Sequence, residues 1–231
     1  MNYLFAPQPV TSVPLLHEEA EFPVHRVYCV GRNYDAHSKE MGITEREAPF
    51  FFLKPANAVC TPRNDTTLCI PVPSITHDFQ HEVELVVAIG QGGKDIPSED
   101  AHKHILGYAV GLDMTRRDLQ LSMRQQGRPW CIGKGFDYSA PIGTISRAEN
   151  VGVIDQAGIT LRVNGAIRQQ GTISELIWNV AEIIEQLSAA WELRAGDLIY
   201  TGTPAGVGPV TSGDLIECEV TGLVPLSVHI A

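Results

Sequence analysis

The sequence predicts an α+β fold on a mixed or antiparallel curved sheet. Runs that read as strands outnumber segments with helical spacing, and hairpins outnumber strand-helix-strand units. One segment alone forms a long amphipathic helix pattern. A doubly wound nucleotide-binding fold lacks its fingerprint, because no G-x-G-x-x-G follows the first strand and no G-K-[ST] phosphate loop occurs. With 231 residues, 44% of them hydrophobic, the chain is expected to form one main domain.

Residues 1–24 are broken by prolines and are expected to be an extension that precedes the core; the catalytic domain is expected to be 25–231. Patterning starts at "HRVYCVG", a strand of β-branched and aromatic residues. "NYDAHSKEMG" reads as a short helix that Asn33 caps and Gly42 ends. "PFFFLKP" is a strand closed by Pro55, 81–90 a strand leading into the turn "GQGG", and 106–114 a further buried strand. "TRRDLQLSMRQQG" has helical character up to Gly127. Asn164-Gly165 lies between two alternating runs, the strongest short-range hairpin signal. "TISELIWNVAEIIEQLSAA" opens on the capping box Thr172-x-x-Glu175 and repeats apolar residues at helical spacing, so it is expected to be the one long helix. The remainder returns to strands and glycine-rich turns.

Lys and Arg number 17 against 27 Asp and Glu, a net charge of -10 that repels phosphate backbones and anionic lipid. Neither a nucleic acid nor a membrane is an expected partner. No signal peptide and no membrane-spanning run is evident. The five cysteines are widely spaced and never C-x-x-C, which reads as a cytoplasmic protein with reduced thiols and no zinc site.

Chemistry concentrates in "HDFQHEVELVVAIG", residues 77–90. In a strand, Glu82 and Glu84 point to the same face, and two adjacent carboxylates require a proton or a cation. Asp113 in "YAVGLDM" supplies a third acid, on a face that Ala109 and Gly111 leave clear of bulk. Three carboxylates form a hard, all-oxygen set that suits Mg²⁺ or Mn²⁺ better than Zn²⁺. His77 and His81 are rival ligands, but a strand turns His81 away from the two glutamates. In the plainest alternative the glutamates lie on a solvated edge and Asp113 caps the following helix.

His37 and Glu40 are three apart on the short helix, where a carboxylate can orient an imidazole as general base; a solvated helix face gives the same pattern. Lys134, between two glycines, is either a cation with flexible access to a small site or a surface-turn lysine. "TGTPAGVGPV" offers backbone N–H groups and the Thr203 hydroxyl as a carboxylate cradle, or is a structural turn. Lys54 is a substrate-site cation or merely the end of its strand.

In that order, "CVGRNYDAHSKEMG", "FFLKP", "HEVELVVAIG", "GLDMTRRDLQ", "RPW", "GKGFD" and "GDLIYTGTPAGVGP" resemble the fumarylacetoacetate hydrolase family, in its acylpyruvate and fumarylpyruvate hydrolase branch. The resemblance runs from about residue 25 to the end. It implies a β-rich mixed roll with few helices, a homodimer, and Mg²⁺ or Mn²⁺ held by Glu82, Glu84 and Asp113. It also implies His37 and Glu40 as the water-activating pair, Lys134 as the catalytic lysine, and Arg32, Lys54, Gln120 and Thr203 as substrate-pocket residues. Gly135 departs from the Ala or Ser common in relatives and is expected to loosen the backbone beside Lys134.

The implied activity is metal-dependent cleavage of a carbon–carbon bond in a 2,4-diketo acid, with fumarylpyruvate in aromatic catabolism as the leading substrate. Oxaloacetate decarboxylation or tautomerisation and hydroxymuconate-type isomerisation are alternatives on the same scaffold. A non-catalytic metal-binding module is a further one. Arg116, Arg124 and Arg128 are each candidates to meet a distal carboxylate.

Overall fold

The run Leu85-Val86-Val87-Ala88-Ile89 is apolar without alternation, which requires cover on both faces of a strand. The computed structural model describes residues 2–34, 46–63 and 67–231, and it shows that cover. Val83, Leu85, Val87 and Ile89 face one core together with Ile159, Leu161, Ile216, Ile184 and Leu187. Val86 and Ala88 face a second, with Cys29, Leu198, Tyr200 and Ile142. Each such side chain withdrawn from water contributes about 1.5–3 kcal/mol before chain entropy is set against it.

A six-stranded sheet carries the site. Its order is Ser146–Arg147, Ile105–Leu112, Val83–Ile89, Asp197–Tyr200, Arg26–Gly31 and Phe50–Lys54. Asp197–Tyr200 runs parallel to Arg26–Gly31 and antiparallel to Val83–Ile89, so the sheet is mixed. A five-stranded sheet packs across the first core, in the order Ala166–Thr172, Gly158–Val163, Leu215–Val220, Leu226–Ile230 and Leu68–Ile70. Its first hairpin turns at Asn164 (φ 52°) and Gly165 (φ 78°), the left-handed pair that a tight two-residue turn requires. Among the described residues the α-helices are few: Arg117–Gln125, Cys131–Lys134, Ala148–Val151 and Val180–Ala190. Among the described residues, no helix is long and apolar enough to cross a membrane. The result is the β-rich mixed α+β architecture with few helices that the sequence predicts.

Three expectations are corrected. Residues before 25 do not merely precede the core: Ser12–Pro14 pairs with Glu21–Pro23, and Val13, Leu15, Phe22 and Val24 are buried in the second core. Proline hides this in the sequence, since these strands are only three residues long. The segment from Thr172 is not one helix. Its capping box closes a single turn, Ile173–Glu175, and a second capping box, Asn179 with Glu182, starts the helix Val180–Ala190. Between them Asn33 claims the backbone: its Oδ1 accepts from the Trp178 N–H (2.8 Å), its Nδ2 donates to the Trp178 carbonyl (2.9 Å), and its own carbonyl accepts from Ile177 (2.9 Å). The face beside Asp113 is also not clear, because Val86 and Tyr200 fill the space over Gly111. The expected short helix with His37 and Glu40 lies outside the described residues.

Candidate active site

Strand register assembles the three acids. Val83 pairs with Leu112 and Glu84 with Gly111, so Asp113 lands beside Glu82, and its N–H donates to the Glu82 carbonyl (2.9 Å). One carboxylate oxygen from each of Glu82, Glu84 and Asp113 lies within 4.8 Å of the others, and all three residues are buried. Among the described residues this is the one such group of metal-ligating type. His81 is not part of it; its Nδ1 meets the Gln169 side-chain oxygen at 2.9 Å.

Cations are distributed unevenly over the acids. Lys134 Nζ donates to Glu82 Oε2 (2.8 Å) and Asp113 Oδ2 (2.6 Å). Lys54 Nζ pairs with Asp113 Oδ1 (2.8 Å), and Arg117 bonds the other oxygen of Glu82. Glu84 accepts from the Gly202 N–H (2.8 Å). Burial, then Asp113 and Glu82, pushes the Glu84 carboxyl well above the ordinary carboxylate range. Burial acts in the same sense on Asp113, but Lys134 and Lys54 outweigh it and hold that carboxyl below its usual value. Lys134 is raised: burial opposes its charge, and Asp113 and Glu82 overcome that. Lys134 is therefore protonated, and Glu84 is the carboxylate with no ion pair of its own. A divalent ion seated among three oxygen donors would supply the missing charge, so the residues present fit Mg²⁺ or Mn²⁺.

Lys134 gets its place from packing, not from flexible access. It ends the helix Cys131–Lys134, which sits against Arg117–Gln125 so closely that a Cβ at Gly133 would lie 2.7 Å from the Gln120 nitrogen. A Cβ at Gly135 would meet Cys131 O at 3.3 Å, so an alanine there is nearly accommodated.

The acids open into a cavity of about 500 Å³, a size suited to a small organic acid. Arg32, Gln120, Lys134 and Thr203 line it with Glu82, Glu84 and Asp113. Lys54 is the exception: it is not part of the wall but lies behind Asp113, donating to the carbonyls of Met114 (3.1 Å) and Lys134. Thr203 spends its proton on the Val83 carbonyl (2.7 Å) and accepts from Gln169 (2.7 Å). The sequence reading missed Arg117, which bonds Glu82, Gln80 Oε1 (2.8 Å) and Gln120 Oε1 (2.6 Å). A signal existed, because Arg117 lies three residues before Gln120 and so shares its helix face.

Residues 26–231 match the family model described as fumarylacetoacetate (FAA) hydrolase C-terminal. The chain belongs to the fumarylacetoacetate hydrolase family. A crystal structure of fumarylpyruvate hydrolase from Pseudomonas aeruginosa in complex with Mn²⁺ and pyruvate is 54% identical, covers 100% of this chain and 99% of its own, and superposes with a TM-score of 0.96. A fumarylpyruvate hydrolase of Ralstonia sp. is 42% identical over 80% of this chain and 93% of its own. An oxaloacetate tautomerase of Escherichia coli K12 is 43% identical over 87% of this chain and 91% of its own. Members of this family thus include hydrolases and tautomerases.

Proposed function

We propose that this chain, through a catalytic domain of residues 25–231, hydrolyses an acylpyruvate, with fumarylpyruvate giving fumarate and pyruvate. The observation that carries the reading is the buried cluster of Glu82, Glu84 and Asp113, two of them bonded by Lys134, facing a small-molecule cavity. The likeness to a fumarylpyruvate hydrolase with Mn²⁺ and pyruvate supports it.

Glu82, Glu84 and Asp113 would hold the Mg²⁺ or Mn²⁺. A bound ion would supply Lewis-acid polarisation of the 2-oxo acid and stabilise the charge that develops on its oxygens. Arg117 fixes one oxygen of Glu82 and the Gln120 carbonyl, which leaves the Gln120 NH₂ group to orient substrate. His37, oriented by Glu40, takes a proton from water as the water oxygen bonds to the distal carbonyl carbon. Lys134 donates a hydrogen bond to the oxyanion of that tetrahedral intermediate. The carbon–carbon bond then breaks, its electron pair leaves with the pyruvate fragment as an enolate, and a proton returns to that carbon. Phe50, Phe52 and Trp130 in the wall exclude water from the reacting carbons. The chain is further proposed to act in the cytoplasm, as a homodimer, in aromatic catabolism.

The oxaloacetate tautomerase relative supports a second reading, proton transfer without an attacking water. A panel of fumarylpyruvate, acetylpyruvate and oxaloacetate with Mg²⁺, run on wild type and His37→Ala, separates the two. Hydrolysis requires a fall in kcat of roughly 10²–10⁴ with unchanged metal affinity. Unchanged hydrolysis in the variant would remove His37 from the mechanism, and turnover of oxaloacetate alone would put the tautomerase reading ahead.

A further inference from the structure

Most arginines of this acidic chain are neutralised. Arg26 pairs with Asp197, Arg46 with Glu182, Arg117 with Glu82 and Arg147 with Glu18. Arg32 and Arg124 line the cavity and have no ion-pair partner among the described residues. Both are exposed at the rim, whereas the acids and Lys134 lie buried within.

Arg32 is also held in an uncommon conformation. Its φ of 50° is left-handed, which a long side chain seldom adopts unless its surroundings impose it. The constraint is the next residue: Asn33 is buried, and its amide donates to the Trp178 and Thr201 carbonyls (2.9 and 2.8 Å) while accepting from Trp178 N–H. The backbone is thereby turned so that the Arg32 guanidinium lies 5.5 Å from the Phe50 ring centre. Arg124 comes from the last turn of Arg117–Gln125, the helix whose first turn supplies Arg117. The other two arginines considered from sequence are placed differently. Arg116 lies 4.2 Å over Phe136 and is not in the wall, and Arg128 lines an adjoining groove that shares Arg32, Phe50, Phe52 and Trp130 with the cavity but holds none of Glu82, Glu84 and Asp113.

We infer that Arg32 and Arg124 form a receptor for a second carboxylate, so that the preferred substrate is a 2-oxo diacid whose middle lies along the apolar wall of Phe50, Phe52 and Trp130. This rests on the proposed 2-oxo acid site, but it concerns the far end of the ligand. Two guanidiniums at the mouth of the cavity, without an ion-pair partner among the described residues, also counter a net charge of -10, which would otherwise repel a dianion.

The test separates this from the hydrolase reading by measuring binding, not turnover. Calorimetry with Mg²⁺-loaded protein compares 2-oxoheptanedioate with 2-oxoheptanoate, which share the 2-oxo acid head, differ in the distal carboxylate and lack the carbonyl needed for cleavage. Wild type should prefer the diacid by about tenfold or more, as a charge-assisted contact gives. Arg124→Gln and Arg32→Gln should each reduce that ratio severalfold, Arg124→Lys should retain most of it, and Arg128→Gln should leave it intact. Equal affinity of wild type for both acids, or an unchanged ratio in Arg124→Gln with native circular dichroism, overturns the inference. A preserved diacid preference in a protein that does not cleave fumarylpyruvate supports it and refutes only the hydrolase reading.

Discussion

Replacing Lys54 by Met tests whether this lysine supports the site or touches substrate. Its side chain is fully buried, and its ammonium contacts Asp113 Oδ1 at 2.8 Å and two backbone carbonyls. Removing one partner of a buried ion pair typically costs 3–5 kcal/mol, because the other charge is left uncompensated. Here Asp113 keeps Lys134 at 2.6 Å, which places the cost at the lower end, about 3 kcal/mol. For a chain of this size that lowers Tm by roughly 6–12 °C. Differential scanning calorimetry of EDTA-treated protein reads it directly, without any metal to stabilise the folded state. A Tm within about 2 °C of wild type, together with a raised KM, would show that Lys54 does not support Asp113 and would return it to the substrate pocket.

Two further substitutions probe the backbone that holds Glu84 and the turn that starts at Asn164. Gly202 has φ +106°, donates to Glu84, and would bring a Cβ to 2.8 Å from the Asn33 Cβ, so Gly202→Ala should cost about 1–3 kcal/mol in chemical denaturation and weaken Mg²⁺ binding; an unperturbed midpoint and affinity would contradict this. Asp214 is held below the ordinary carboxylate range first by the Thr211 N–H (2.7 Å) and then by the Asn164 amide (2.7 Å). A lowered folded-state pKa gives stability that is present above the unfolded value of about 3.9 and is lost as pH falls through the folded one. Thermal melts of wild type and Asp214→Asn should therefore differ at pH 6 by no more than a few degrees, given solvent screening, and converge towards pH 2; a gap that widens with acid has the wrong sign.

What the sequence made legible was local or periodic. Asn164-Gly165 defines its turn within two residues, and the spacing of Glu82 and Glu84 carries over directly because strand parity is a backbone property. What it hid depends on partners remote in the chain. The helix pattern from Thr172 is broken by Asn33, nearly 150 residues earlier, with two capping boxes where one was evident. Lys54 and Lys134 look alike in sequence as strand-end and loop lysines, and only packing assigns one to the cavity wall and the other behind Asp113. The short strands within residues 12–23 are masked by prolines that an edge pair tolerates. His37 and Glu40 are legible as an H-x-x-E pair, and their roles rest on the resemblance and the proposal.

Divalent-ion-dependent hydrolysis at Glu82, Glu84 and Asp113 can be tested in one titration. Protein stripped with EDTA is mixed with fumarylpyruvate, the diketo absorbance is followed, and fumarate and pyruvate are quantified as Mg²⁺ or Mn²⁺ is returned. The expected result is no turnover without the ion, recovery with it, equimolar fumarate and pyruvate, and no recovery in Glu84→Gln at ion concentrations that saturate wild type. Full activity in the stripped protein, or loss of absorbance without the two acids, would contradict it.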